Sequence, residues 1–363
     1  MTILPVYVSG YTRQNGKGIY SYLFDTDTGL LTNQQLVANS EAPSFITIHR
    51  ESGQLIAVNE TNEYQGRQGT GYVSAYARDP SSGALQLLNT QSSEGADPCY
   101  VTVVRDYCLV SNYTGGSVVA FPLSHDGLKP ASSVMDLGKS GIQATQARPD
   151  RQEAPHAHAV DVDPIEQALA IVMDLGSDRA IVIPYHHGEL KQPLQSFKFP
   201  DGAGPRHMVF APNMRSFCYV LGELDNKVYM LELNLRNDDD QRFHLIQQIS
   251  ALPPDVVSSS DMLGAEIKIT PNGKFLYATI RGHDSISAFY IDDRNGKLTL
   301  IDNQSTRGQH PRYFVIDPTG HYLLLANQFS NNIVTFKIDQ DSGKLSHIQT
   351  IDHPEATCIQ FWL

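Results

Sequence analysis

Arginine, histidine and glutamate recur at matching places along this chain of 363 residues. His156 and His158 stand in Pro-His-Ala-His, Arg206 and His207 in Gly-Pro-Arg-His, and Arg312 in His-Pro-Arg-Tyr. A second set follows apolar runs: Asn59-Glu60, Glu223 in Gly-Glu-Leu-Asp, and Arg281 with His283 in Arg-Gly-His-Asp-Ser. A guanidinium is planar, stays protonated and donates paired hydrogen bonds, so it suits a bound anion and also an oxyanion developing on an attacked carbonyl. Imidazole titrates near neutrality unaided and can take a proton from water, whereas a carboxylate needs burial before it can do so. Gathered in one place, these side chains would bind an anionic ester and activate water against it.

A repeat brings them together. About every fifty residues the chain gives a turn, an apolar strand, a polar break, a second strand and a glycine turn. The opening turn appears at Ala42-Pro43-Ser44, Asp97-Pro98-Cys99, Ala154-Pro155-His156, Gly204-Pro205-Arg206, Leu263-Gly264-Ala265, His310-Pro311-Arg312 and His353-Pro354-Glu355. Apolar runs such as Phe275–Ala278 and Tyr322–Ala326, bounded by turn residues, read as strands. Alternating runs such as Ser117–Phe121 and Asn332–Phe336 supply a further strand with one buried face. Thr28-Gly29, Ser82-Gly83, Asp126-Gly127, Asn295-Gly296 and Ser342-Gly343 then introduce outer strands near Leu30, Leu85, Leu128, Leu298 and Leu345. Four short antiparallel strands per unit predict an all-β, seven-bladed propeller. Residues 4 to 36 supply three strands and residues 355 to 362 a first strand, so one blade would combine both termini and close the ring. In such a ring, equivalent positions of different repeats converge on a central channel.

We read residues 1–363 as one domain, since closed all-β folds run long. Met1-Thr2-Ile3-Leu4-Pro5 leads straight into a strand, and no window is apolar enough to span a bilayer, which predicts a cytoplasmic protein without a membrane partner. Cys99, Cys108, Cys218 and Cys358 lie in or beside strands without metal-type spacing and are expected as buried free thiols. A net charge of −12 argues against nucleic acid. The expected state is a monomer or weak homo-oligomer.

Three segments carry a resemblance to a known family. They are Gly202-Ala203-Gly204-Pro205-Arg206-His207 followed by Tyr219-Val220-Leu221-Gly222-Glu223-Leu224; Ile269-Thr270-Pro271-Asn272-Gly273-Lys274-Phe275 leading to Arg281-Gly282-His283-Asp284-Ser285; and Pro155-His156-Ala157-His158-Ala159-Val160. The chain resembles, over nearly its whole length, the lactonase-type seven-bladed propellers typified by bacterial 6-phosphogluconolactonase. The resemblance implies a catalytic set of His158, Arg206, Glu223 and Arg281, by analogy with the family's fungal carboxy-muconate cyclising branch. It departs where Gly222 and Ile280 replace the more usual asparagines, which changes how Glu223 and Arg281 are held. The implied substrate is a phosphorylated sugar lactone, without metal or organic cofactor. One of Arg206, Arg281 and Arg312 would then take the phosphate and another the oxyanion. His158 is the favoured base, with Glu223 orienting it or an arginine. His156, Arg312, Glu60 and His283 complete the expected substrate contacts.

Other readings attach to the same residues. His207 should face away from Arg206 and pack structurally. His283-Asp284-Ser285 cannot form a relay between neighbours and also reads as a turn before the next strand. His186-His187 is expected to be exposed, and Asp238-Asp239-Asp240 reads as a solvated loop. A calcium ion held by Glu60, Asn112, Asp174, Glu223 and Asn327 is an alternative. So are a lactonising enzyme for carboxy-muconate-type polycarboxylates and a non-catalytic binding propeller.

Overall fold

The computed structural model describes residues 2–214, 216–234 and 242–363; Asp238–Asp240 lie outside them. The described residues contain no α-helix and form seven antiparallel sheets of propeller-blade type. One sheet runs Leu31–Asn39, Gly18–Asp25, Ile3–Gly10, Ala356–Phe361, so the last strand pairs with the first and a single blade is made from both termini, as the repeat predicts. The fold is that of a seven-bladed β-propeller.

The chain packs as two compact units. One comprises residues 9–20, 35–205 and Leu363. Its blades begin at Pro43–His49, Pro98–Val104 and Ala157–Val162. In two of these the outer strand is broken into Gly127–Leu128 and Ser133–Asp136, and into Glu189–Leu190 and Gln195–Lys198. Pro130 and Pro193 fall in the gaps, where a residue without an N–H cannot extend a ladder. The outer strand expected near Leu128 therefore begins in earnest only at Ser133.

The other unit comprises residues 1–8, 21–34 and 206–362. Its blades start at Pro205–Phe210, Leu263–Ile269 and Pro311–Ile316, and it takes in Ala356–Phe361. Facing sheets bury continuous apolar layers: Leu221, Val228, Met230, Ile267, Leu276, Ile280 and Phe289 in one, and Phe275, Tyr277, Phe314, Leu323, Leu325 and Phe336 in the next. A repeated lock ties each blade to its neighbour. Tyr219 Oη donates to Gly296 O (2.6 Å), Tyr277 Oη to Gly343 O (2.8 Å) and Tyr322 Oη to Asp27 O (2.9 Å). The turn glycines there have φ near +72° to +75°, and a Cβ on Gly343 or Gly29 would come within 2.5 Å of Phe275 or Tyr322 ring atoms. Glycine is thus needed for both conformation and space. All four cysteines are buried thiols outside any disulfide.

Candidate functional site

Matching backbone hydrogen bonds fix which repeat positions are equivalent. Glu60 N donates to Ala42 O, Tyr113 N to Asp97 O, Leu175 N to His156 O and Gln328 N to His310 O, at 2.9 to 3.0 Å. Ala42, Asp97, His156 and His310 therefore occupy one place. Two residues later the first strand bulges, at Ser44, Cys99, His158 and Arg312. A bulge inserts an unpaired residue and re-aims its side chain. This shifts the expected opening turn of one repeat by two residues: Ala157, not Pro155, opens the strand. His156 precedes that strand, and its carbonyl makes the bond that Ala42 makes elsewhere.

In the unit containing residues 206–362, three predicted residues meet. Glu223 Oε2 accepts from Arg206 Nη1 at 2.5 Å and from Arg281 Nη2 at 2.9 Å. Arg206 Nε also donates to Ala265 O (2.8 Å) and Arg281 Nη2 to Gly264 O (2.9 Å). Their exposures of 3%, 1% and 5% for Arg206, Glu223 and Arg281 make this a buried cation–anion–cation bridge. Two guanidiniums on one oxygen favour the ionised carboxylate, so Glu223 acts here as a clamp on the arginines.

Gly222 and Ile280 occupy the two positions without asparagine. Gly264 approaches the first closely, since a Cβ on Gly264 would lie 2.5 Å from Gly222 O. Ile280 is buried in the apolar layer with Leu221 and Met230, which anchors the strand end bearing Arg281. Elsewhere the residue at this position brackets a loop: Asn112 Nδ2 donates to Ser93 O, and Asn327 Nδ2 to Thr306 O. Asp174 is similarly occupied by His156 N and Ser177 Oγ. Asn112, Asp174 and Asn327 thus serve loop anchoring, and the alternative calcium set gains no support from their bonds.

His310, which the sequence alone does not single out, lies in the field of this cluster. Burial, then the positive charges of Arg281, Arg312 and Arg206, push its pKa down to about 3, against a partial opposing pull from Glu223. Its backbone N–H donates to Asp284 Oδ1 (2.8 Å), it adopts φ = +61°, and its ring stacks on Phe329 at 3.9 Å. Phe329 is 60% exposed, while His310 and Arg312 are half-buried. The signal in the sequence was positional: His310 and His156 are repeat equivalents. His283 is set in the neighbouring turn, its Nδ1 2.7 Å from Ser285 Oγ.

His207 points to a separate buried pair. Its Nδ1 is 3.1 Å from Glu266 Oε1, which also faces Lys268 Nζ at 3.4 Å. Burial lowers His207 to about 4 despite Glu266, leaving a neutral imidazole. Burial raises Glu266, but Lys268 and His207 outweigh it and bring it to about 2. Lys268 is the partner that holds the carboxylate ionised.

The unit containing residues 35–205 holds His156, His158 and Glu60. The His156 ring stacks on Tyr113 at 4.5 Å, and both its nitrogens are engaged, Nδ1 with Tyr113 O and Nε2 with Glu153 Oε1, each at 3.0 Å. His158 meets the same Tyr113 ring edge-on at 5.6 Å. Arg151 donates to Tyr113 Oη at 3.2 Å. Glu60 Oε1 accepts from Tyr11 Oη at 2.7 Å. Tyr113, Glu153 and Arg151 were not legible as partners, because only the fold brings them to the histidines. His186 and His187 are exposed, as expected. Open clefts occur at Thr12, Lys17, Glu41 and Tyr72 and at Asn213, Lys274 and Tyr290, but they contain none of the arginine–histidine set.

Seven four-stranded blades, one pair of which buries an arginine-clamped glutamate, define a seven-bladed β-propeller. A family model described as lactonase, 7-bladed beta-propeller, matches residues 5–361, and the chain belongs to that family. It is 34% identical to a 6-phosphogluconolactonase of Bacillus subtilis (strain 168), over 99% of both chains. A crystal structure from Bacteroides uniformis ATCC 8492 superposes with a TM-score of 0.89 at 32% identity, covering 100% of both chains. The periplasmic gluconolactonase PpgL of Pseudomonas aeruginosa does so with 0.87 at 27% identity, covering 99% of both chains.

Proposed function

We propose that this protein hydrolyses a phosphorylated sugar lactone, 6-phospho-D-glucono-1,5-lactone, to 6-phosphogluconate, acting as a single domain in the cytoplasm within the pentose phosphate pathway. The observation that carries this reading is the buried Arg206–Glu223–Arg281 bridge, whose charges, with that of Arg312, act on His310. Three arginines against one glutamate leave a net positive site, which suits a phosphate dianion and an ester oxygen that becomes negative during attack.

Arg312, half-buried and on a bulge, would take the phosphate, and Arg281 the oxyanion. His310 takes a proton from the attacking water as the C–O bond forms, then returns it to the ring oxygen as the lactone C–O bond breaks. Burial and the three guanidiniums hold its basicity low, and arrival of the phosphate dianion offsets the guanidinium repulsion and raises it. His158, assigned by motif, is the second imidazole to be tested as base. His156, whose ring nitrogens are both engaged, is a positioning residue for Tyr113.

Substrate profiling tests the reading. The phosphorylated lactone should exceed unphosphorylated gluconolactone in kcat/KM, and Arg312→Met should narrow that ratio about tenfold or more through KM. Equal rates on both lactones, or preference for a carboxy-muconate-type lactone, would reassign the substrate.

A further inference from the structure

A second cluster lies in the unit containing residues 35–205. His49, Glu51 and Asp106 place one potential ligand atom each within 4.8 Å of one another. They come from two turns: His49 ends the strand Pro43–His49 and Glu51 follows it, while Asp106 occupies the turn between Pro98–Val104 and Tyr107–Asn112. The two first strands of these blades pack together. Glu51 and Asp106 are exposed, whereas His49 is only 6% exposed.

The imidazole supplies the independent observation. His49 Nδ1 is 2.6 Å from Ser52 Oγ, while the buried Nε2 has no hydrogen-bond partner. A buried polar atom left unmatched costs about 1–3 kcal/mol, so such atoms call for a ligand. With Nδ1–H donating to Ser52 Oγ, Nε2 carries a lone pair, which is the tautomer that metal-bound histidines adopt when their other nitrogen is hydrogen-bonded. Both turns are fixed: Gly53 N bonds Arg50 O, and Leu123 N bonds Asp106 O.

We infer that His49, Glu51 and Asp106 form a surface site for a first-row divalent transition metal, zinc being the best match, with water completing the shell. One nitrogen and two carboxylate oxygens fit zinc, whereas magnesium and calcium prefer all-oxygen shells. Ligand atoms around tetrahedral zinc lie roughly 3.3 Å apart, and small rotations of the two exposed carboxylates close that difference. The bound ion would tie two adjacent blades together at the ends of their first strands. It shares no residue with Arg206, Glu223, Arg281 and His310.

The test is equilibrium dialysis of tag-free full-length protein against zinc chloride in excess magnesium, with thermal unfolding followed in zinc and in EDTA. One zinc per chain is expected, with an unfolding midpoint higher in zinc. Asp106→Asn, an exposed change that leaves the fold intact in EDTA, should lower affinity at least tenfold and abolish the zinc-dependent shift. His49→Gln should do the same, and Ser52→Ala should weaken binding about tenfold by releasing the ring. The double variant His186→Asn/His187→Asn, which removes an exposed histidine pair, should bind as the native protein does. Absence of stoichiometric binding, undiminished binding by Asp106→Asn, or loss only in the His186/His187 variant would each overturn the assignment.

Discussion

Replacing Glu223 by glutamine removes one negative charge and almost no volume. In the native protein its Oε2 lies 2.5 Å from Arg206 Nη1 and 2.9 Å from Arg281 Nη2, and all three residues are at least 95% buried. Glutamine leaves two buried cations facing one amide. Breaking a buried ion pair by removing one partner costs about 3–5 kcal/mol. Arg281→Met is the informative contrast, because it leaves the Arg206–Glu223 pair balanced and adds an apolar side chain; about 1–2 kcal/mol is expected. In urea, Glu223→Gln should therefore lower the unfolding midpoint by roughly 1 M or more, and Arg281→Met by clearly less. Both should cost activity, so stability is the discriminating readout. Equal midpoints for native protein and Glu223→Gln, or a larger loss for Arg281→Met, would refute the clamp.

Gly264→Ala should disturb the same bridge indirectly, since the new methyl meets Gly222 O at 2.5 Å on the residue whose carbonyl receives Arg281; activity should fall more than thermal stability. Asp163→Asn tests a structural carboxylate that accepts backbone N–H bonds from Ile165, Glu166, Gln167, Ala168 and Leu169; about 2–3 kcal/mol of stability should be lost in urea unfolding, and an unchanged midpoint would contradict it. For pH, burial holds His207 near 4 and His353 near 3, and burial with the arginines holds His310 near 3. All three lie below the unfolded value, so their stability is present above about pH 6.5 and lost as pH falls toward 3–4. Asp174, raised to about 6 by burial, works oppositely, contributing below its unfolded pKa and losing that as pH rises through 6. The net uptake near pH 5 is about two protons on unfolding, or roughly 3 kcal/mol per pH unit at most. A urea midpoint that does not fall between pH 7 and 4.5 would contradict these assignments.

The propeller was legible because its signals are local and repeated: a turn before each first strand, alternating burial, and Gly at each hairpin. Arg206, Glu223 and Arg281 could be singled out because charged residues at the ends of apolar strands are conspicuous. Their mutual arrangement was not legible. That Glu223 bridges both arginines depends on Gly222 and Gly264 approaching across two blades, and on Ile280 filling an apolar layer. The equivalence of His310 and His156 is masked in the sequence, because the proline that marks each turn is offset by two residues at Pro155. Tyr113 and Glu153, which engage His156, come together only through backbone curvature and side-chain reach that no spacing rule supplies.

The central claim is lactone hydrolysis by the arginine–histidine cluster. The most direct measurement is acid release from freshly generated 6-phospho-D-glucono-1,5-lactone, corrected for spontaneous opening, with EDTA present, for native protein, Arg281→Met, His310→Gln and His158→Ala. The account predicts full native activity in EDTA and a fall of about a hundredfold or more for folded Arg281→Met and His310→Gln, in line with oxyanion and acid–base losses. A native rate no faster than background, or undiminished activity in both variants, would contradict it.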